Sequence, residues 1–283
     1  MKTPKTFNEQ VQKLYSHGFI IDDPNHVEDY LSKVNYYRLR GYWLSFEKDG
    51  AILPGTHFED VILCYEMDRA LRNWLNKAIE PLEIKLRTQF AYNLAFATKD
   101  SLAYKNKDLF VNKEAHANSL SRIEKEVERA LNNNVQFVIH NLDKYGALPI
   151  WAVVELTSFG TVSKMFGNLR EDYKSLISKS FNLNNFYCDK WFAHLTAVRN
   201  ICAHHNRFYN RYILRSPRLF VREKRYMSRK QFPTFLVLKH LYAYDDIQWN
   251  KLIDDLKEII NKFESVSLVP MAFPDDWLKI LKQ

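Results

Sequence analysis

Apolar residues recur every three or four positions along most of the chain, which is the period of a helix with one buried face. Two short helices are predicted near the start. Thr6-x-x-Glu9 has the pattern of a capping box, and the apolar positions that follow it stop at Gly18. Asp23 is a favourable N-cap because Pro24 takes the first helical position. Alternation with a period of two is not found, so the pattern predicts an all-α fold.

The longest periodic segment follows Thr56-x-x-Glu59, a second capping-box pattern, and continues to Phe90. Pro81 lies within this segment, so we expect a kink or a break there. No internal repeat or linker interrupts the pattern, which favours one domain over residues 1–283. Other helices are expected over about 120–139, 149–160, 161–168, 170–180, 188–211 and 245–264.

Cysteine usage and hydropathy indicate the cellular compartment. Cys64, Cys188 and Cys202 are odd in number and widely separated, which argues against a disulfide framework and against a cysteine zinc site. No apolar signal core follows the first residues, and no window approaches the roughly 18 apolar residues of a membrane span. We therefore expect a cytoplasmic protein without a membrane partner.

Positive charge is concentrated in one segment. The chain has a net charge of +8, and the stretch from Arg199 to Lys230 holds ten lysines and arginines but one acidic residue. Basic groups attract the phosphate backbone, and aromatic rings can stack on bases. The alternative is a solvated basic face with no ligand. Five aromatic residues are interleaved with the cations: Phe208, Tyr209, Tyr212, Phe220 and Tyr226. The expected RNA-binding residues are Arg207, Arg211, Arg215, Arg218, Arg222 and Arg225.

The segment that begins at Arg199 also carries the candidate chemistry. In a helix over 188–211, one face would hold Thr196, Asn200, His204, Arg207 and Arg211, with Arg199 beside it. An imidazole can move a proton, and a guanidinium can bind a phosphate as a fixed positive fork. Asn200 can hold the phosphate or orient the imidazole of His204. The alternative is a structural helix whose cations pair with core carboxylates such as Glu80, Glu83 or Glu155.

Glu80, Glu83 and Arg87 share a helical face in the long periodic segment. A ladder of ion pairs between neighbouring turns is the favoured interpretation. The alternative is an acidic group that orients the arginine or histidine of the candidate site.

Metal and cofactor sites are not expected. His204 and His205 are adjacent, so on a helix they point about 100° apart and cannot easily share one ion. The sequence has no HExxH pattern and no zinc-type Cys/His spacing. It also lacks the glycine-rich patterns GxxxxGK[ST] and GxGxxG, so no nucleotide cofactor is predicted.

Arg199-Asn200-Ile201-Cys202-Ala203-His204 has the Arg-polar-x-x-x-His spacing of the HEPN superfamily, and the wider sequence resembles the abortive-infection (Abi, AbiD/AbiF-like) phage-resistance family. The similar stretches occur in order over nearly the whole chain. They are Gly18–Asp23, Asn35–Trp43, Ile79–Arg87, Pro149–Trp151, Glu155–Thr161, Arg199–Arg211 and Phe273–Trp277.

This resemblance implies a fold, a role and a site. The fold is an HEPN-like helical bundle with additional N-terminal helices, divided into an extension of about 1–55 and a core of about 56–265. The role is phage defence by a toxin-like, metal-independent endoribonuclease, whose catalytic residues would be Arg199, Asn200 and either His204 or His205. The implied partners are RNA, a second copy of the chain, and an antitoxin or regulatory RNA. The alternative function is a non-catalytic module that binds RNA or protein in a defence system.

Overall fold

A computed structural model describes residues 3–282. Within this range the chain forms thirteen α-helices and one two-stranded hairpin, which confirms the all-α prediction. The N-terminal elements are α1 (Phe7–Ser16), α2 (Pro24–Lys33), α3 (Tyr36–Trp43), β1 (Glu47–Lys48) and β2 (Ala51–Ile52). The remaining elements are α4 (Phe58–Thr98), α5 (Lys113–Asn132), α6 (Gln136–Tyr145), α7 (Ile150–Leu156), α8 (Phe159–Asn168), α9 (Glu171–Lys179), α10 (Asn185–Ala203), α11 (Phe232–Leu241), α12 (Asp246–Lys262) and α13 (Trp277–Lys282).

The first two helices begin where their capping signals predict. Thr6 accepts a hydrogen bond from the Glu9 backbone at 3.2 Å, and the Glu9 carboxylate accepts one from the Thr6 backbone at 2.7 Å. The Asp23 carboxylate accepts from the backbone N–H of Asn25 at 3.0 Å. These bonds satisfy N–H groups that have no partner within the helix.

Helix α4 is the central element. Its 41 residues give a length of about 60 Å. The helix continues through Pro81, so of the kink or break expected there, the break does not occur. The second capping-box prediction is wrong, because the Thr56 hydroxyl donates to the Leu53 carbonyl instead of capping α4. The Glu59 carboxylate accepts from the Asp22 backbone at 3.1 Å. Glu59 therefore ties the α1–α2 region to the start of α4.

Helices α3 and α7–α12 pack against α4. The ring of Trp74 stacks on Phe235 with centroids 5.3 Å apart, and its Nε1 donates to the Leu252 carbonyl at 2.7 Å. The buried apolar residues form one cluster that runs from Val11 to Leu281. This cluster holds α4 and α10 side by side, and the candidate site lies at the end of α10.

Two predicted helices are each divided in the structure. The segment over 120–139 is split between α5 and α6, and Asn134 takes a left-handed backbone at the junction with φ 54°. The segment over 149–160 is split at Ser158, which caps α8 by accepting from the Thr161 backbone at 3.2 Å. Gly160 lies inside α8, where a Cβ would come within 3.3 Å of Thr196 on α10. The glycine allows two helices to approach closely and does not end one.

The three cysteines are buried free thiols, and burial raises the pKa of each to about 12. None of the helices between residues 3 and 282 combines the length and the apolar character needed to cross a bilayer.

Candidate active site

Helix α10 ends at Ala203, eight residues before the predicted end. The ending is a Schellman motif: the N–H of Asn206 bonds to the Ile201 carbonyl at 2.9 Å, and the N–H of His205 bonds to the Cys202 carbonyl at 3.0 Å. His205 occupies the left-handed position of this motif with φ 54°. Glycine is the usual residue there, so the sequence lacks the ordinary stop signal.

Two arginines from distant parts of the chain hold this turn. The Nη1 of Arg38 on α3 donates to the His205 carbonyl at 2.5 Å. The Nη1 of Arg72 on α4 donates to the Asn206 carbonyl at 3.4 Å. Neither arginine stands out in the sequence, because their partners are backbone atoms more than 130 positions away.

The chain after the turn is fixed by the buried carboxylate of Asp68. It accepts from the backbone N–H groups of Phe208 at 3.2 Å and Tyr209 at 2.7 Å. It also accepts from the Tyr42 hydroxyl and from Arg72, both at 2.6 Å. Burial raises the pKa of the Asp68 carboxyl, and the Arg72 charge opposes that shift. The end of α10 is thus set between α3 and α4.

The predicted polar stripe along one helix is wrong beyond Ala203. His204 follows Asn200 by one turn, and its N–H donates to the Asn200 carbonyl at 3.1 Å. Arg207 and Arg211 lie in the irregular segment after the helix and are half-buried. Arg207 lies over α3, because a Cβ on Gly41 would come within 3.4 Å of its side chain. Burial lowers the pKa of the Arg207 guanidinium.

The motif side chains are accessible. Asn200, His204 and His205 are exposed, and the side chain of Arg199 is 36% exposed. All four are contributed by the last turn of α10 and the Schellman motif that ends it.

The Arg199 guanidinium is anchored to α4. Its Nε lies 3.5 Å from Oε2 of Glu83, whose side chain is 10% exposed. The other oxygen of Glu83 pairs with Arg87. Both interpretations of the acidic helical face therefore hold for Glu83, because it forms the predicted pair with the next turn and also contacts Arg199. Glu80, by contrast, is exposed and forms no ion pair within residues 3–282.

The basic segment after α10 has an anchored backbone. The Trp191 indole donates to the Arg218 carbonyl at 2.6 Å. The Nδ1 of buried His194 lies 2.5 Å from the Arg215 carbonyl, and its Nε2 lies 3.0 Å from the Thr234 hydroxyl. Burial lowers the pKa of His194 to about 4, so this imidazole is neutral and donates from Nδ1. The side chains of Arg215, Arg218, Arg222 and Arg225 are exposed.

The aromatic residues of this segment differ in exposure, and Phe220 and Tyr226 are half-buried. Phe208 and Tyr209 are buried in the core, so these two rings cannot stack on bases as expected. Tyr212 is 66% exposed, and the Nζ of Lys230 lies 4.4 Å from its ring centroid. Tyr212 is therefore the accessible ring at the start of the segment.

Among residues 3–282, one group has three side chains close enough to share a metal ion: Asp22, His57 and Glu59. The Nδ1 of His57 lies 2.7 Å from the Asp22 carboxylate, and Glu59 accepts from the Asp22 backbone. These groups already bond to one another, and none belongs to the Arg199–His205 motif.

Comparison with protein families gives a match over the middle of the chain. The sequence model described as Abi-like protein matches residues 29–210, which is more than half of the chain and includes the motif and its partners on α3 and α4. The comparisons with curated proteins and with solved structures found no match. The chain belongs to the Abi-like protein family, whose role is abortive-infection defence against phage.

Proposed function

We propose that this protein is a metal-independent endoribonuclease that acts in phage defence, with Arg199 and His204 as its catalytic residues. The observation that supports this most strongly is the anchored Arg199 guanidinium. Its Nε faces Glu83, while its terminal nitrogens make no hydrogen bond within residues 3–282. Those terminal nitrogens are available to two oxygens of one phosphate, which is the geometry that a planar guanidinium fits best.

The reaction proposed is attack by a 2′-hydroxyl on the neighbouring phosphorus. A base removes the hydroxyl proton as the new P–O bond forms, and the bond to the 5′-oxygen breaks as that oxygen takes up a proton. The products are a 2′,3′-cyclic phosphate and a 5′-hydroxyl. His204 carries the proton, Arg199 stabilises the charge that develops on the phosphoryl oxygens, and the Asn200 amide binds one of them. His205 is the alternative proton carrier, because both imidazoles are exposed.

A homodimer completes this site in our proposal. One chain supplies one Arg199 and one His204, whereas in-line cleavage benefits from both a base and an acid. A two-fold axis would present the same surface twice and bring two motifs to one phosphodiester.

The basic segment supplies substrate affinity in this account. Arg215, Arg218, Arg222 and Arg225 are exposed, and His194 and Trp191 hold the backbone at Arg215 and Arg218. Contacts to phosphates are insensitive to sequence and weaken with salt. DNA would bind to this surface but would not be cut, since it lacks the attacking hydroxyl.

A second candidate is a module that binds RNA without cutting it. Two observations favour this candidate. The backbone of Arg215 and Arg218 is held in place by residues outside the motif, and Glu83 neutralises part of the Arg199 charge. Incubation of purified protein with RNA in EDTA, followed by mapping of new ends, separates the two functions. Cyclic phosphate ends that disappear in Arg199→Ala and His204→Ala support the nuclease, and binding without new ends supports the module.

A further inference from the structure

A basic groove of about 830 Å³ lies between α5, α8 and α10. Arg122 and Lys125 reach it from α5, Lys164 from α8, and Arg215 from the segment after α10. Up to 93 positions separate these cations in the sequence, so the packing of the helices is what brings them together. Of the four, only Arg215 belongs to the basic segment that stands out in the sequence.

The charge of the groove is not balanced. Of the described residues, Asp189 supplies the one carboxylate in the lining, and the cation near it is Lys190, at 3.4 Å. In the described part of the chain, none of the four groove cations has a carboxylate within 4.0 Å. Burial and the neighbouring charges of Arg122 and Arg215 lower the pKa of Lys164. An anion in the groove would relieve this repulsion.

The lining suits phosphate groups better than bases. The hydroxyl of Ser163 and the amide of Asn118 add hydrogen-bond donors beside the cations, whereas the Ser119 hydroxyl already donates to the Ala115 carbonyl at 2.9 Å. Across residues 3–282, no aromatic ring lines the groove, so a nucleobase would find no stacking partner there. Aromatic stacking is the usual means by which proteins hold unpaired bases.

The walls of the groove are held rigidly. The Asn168 side chain bonds to both backbone groups of Asn112, each at 2.8 Å, which joins the end of α8 to the start of α5. Buried His194 holds the Arg215 carbonyl. Rigid placement of cations reduces the entropy lost when a ligand binds.

The groove and the candidate active site both lie along α10. Helix α8 crosses α10 at two glycines, with Gly167 against Asp189 and Gly160 against Thr196. Ala193 lines the groove, and Asn200 lies on the same helical face seven residues later, which is about 10 Å along the axis. A strand that leaves the groove along this face would reach the motif.

We propose that this groove binds backbone phosphates of the RNA substrate next to the scissile one, as a second site beyond the Arg199–His205 motif and the predicted arginines. This inference rests on the proposed function for its choice of RNA over a free phosphate compound. It assigns Arg122, Lys125 and Lys164 to RNA binding and gives them no part in the chemistry of cleavage.

The test measures binding separately from cleavage. Anisotropy of a labelled single-stranded RNA is followed against salt with full-length His204→Ala protein, so the RNA stays intact. The RNA affinity of the double variant Arg122→Glu/Lys164→Glu is compared with that of the control double variant Lys251→Glu/Lys257→Glu. Lys251 and Lys257 are exposed residues of α12. The pair Arg122→Gln and Lys164→Gln removes the charge without adding an opposite one. Thermal unfolding of each variant checks that it is folded.

The groove variants are expected to bind RNA at least tenfold more weakly. Their slope of log affinity against log salt should fall by roughly 1.4, because two phosphate contacts are lost. The α12 variants should match the parent protein. Unchanged RNA affinity in both groove pairs would overturn the inference. Unchanged RNA affinity with lost binding of inorganic tripolyphosphate would overturn RNA as the ligand. If the groove variants lose RNA affinity and the wild-type protein shows no RNA cleavage, the groove is still an RNA-binding site but the proposed nuclease activity is refuted.

Discussion

The Nε of Arg199 lies 3.5 Å from Oε2 of Glu83, and Arg87 pairs with the other oxygen of the same carboxylate. One nearly buried acid on α4 therefore orients the arginine of the motif on α10. The contact links the packing of α4 against α10 to the geometry of the candidate site.

Replacing Glu83 with Gln should affect both stability and activity. The change leaves Arg87 and Arg199 without their shared partner, at a cost of about 1–3 kcal/mol, since both arginines keep some contact with water. Urea unfolding measures this loss. RNA cleavage, assayed where the variant is fully folded, should fall further because Arg199 is no longer held. Glu80→Gln, on the exposed side of the same helix, is the control and should leave both unchanged; equal effects from the two variants would refute a positioning role.

His205→Gly should preserve or raise stability. A non-glycine residue in the left-handed region costs roughly 1–2 kcal/mol, while glycine adds about 0.5–1 kcal/mol of backbone entropy. The net change is therefore a gain of about 0–1.5 kcal/mol. His204→Gly, at a cap with φ −89°, should instead lower stability. Thermal unfolding of both variants tests this, and a clear loss of stability in His205→Gly would contradict the Schellman assignment. Cleavage retained by folded His205→Gly assigns the proton transfer to His204.

Buried His194 should make the fold sensitive to mild acid. Its pKa is about 4 in the folded state and about 6.5 in the unfolded chain, so the unfolded state binds more protons between those values. The contribution of His194 to the free energy of unfolding is complete above pH 6.5 and is lost as the pH falls toward 4. The total loss is on the order of 3 kcal/mol. Urea unfolding between pH 7.5 and pH 4.5 measures the slope. His194→Gln should be less stable at neutral pH but show a shallower slope, and an identical slope would refute this assignment.

A composite site requires two copies of the chain. Light scattering at the concentration of the cleavage assay should give twice the 33.7 kDa chain mass. Mixing Arg199→Ala protein with His204→Ala protein should then restore part of the activity, because one heterodimer site can combine intact groups. A monomer that cleaves RNA at full rate would contradict the composite site.

Local signals predicted the parts of the fold that depend on neighbouring residues. The caps at Thr6 and Asp23 form as expected because each bond joins atoms within three residues. The helix end at Ala203 could not be found in this way, because His205 takes the place of glycine and Arg38 and Arg72 supply the stabilising bonds.

The same distinction applies to the candidate site. Arg199, Asn200 and His204 stand out by spacing alone, whereas Glu83 had two interpretations until α4 and α10 were seen side by side. Burial of Phe208 and Tyr209 follows from the Asp68 carboxylate, which bonds to the backbone about 140 positions away. The groove at Lys164 likewise depends on tertiary packing, which a periodic pattern does not encode.

The most direct test of the central claim is cleavage of a defined RNA in EDTA by the wild-type protein, Arg199→Ala, Arg199→Lys, His204→Ala and His205→Ala, each confirmed as folded. We predict 2′,3′-cyclic phosphate ends from the wild type and a rate lower by about 10²–10⁴ in His204→Ala. Arg199→Ala should also lose activity, and Arg199→Lys should recover little of it, because a point charge replaces a planar fork. Full activity in both Arg199→Ala and His204→Ala would contradict the account.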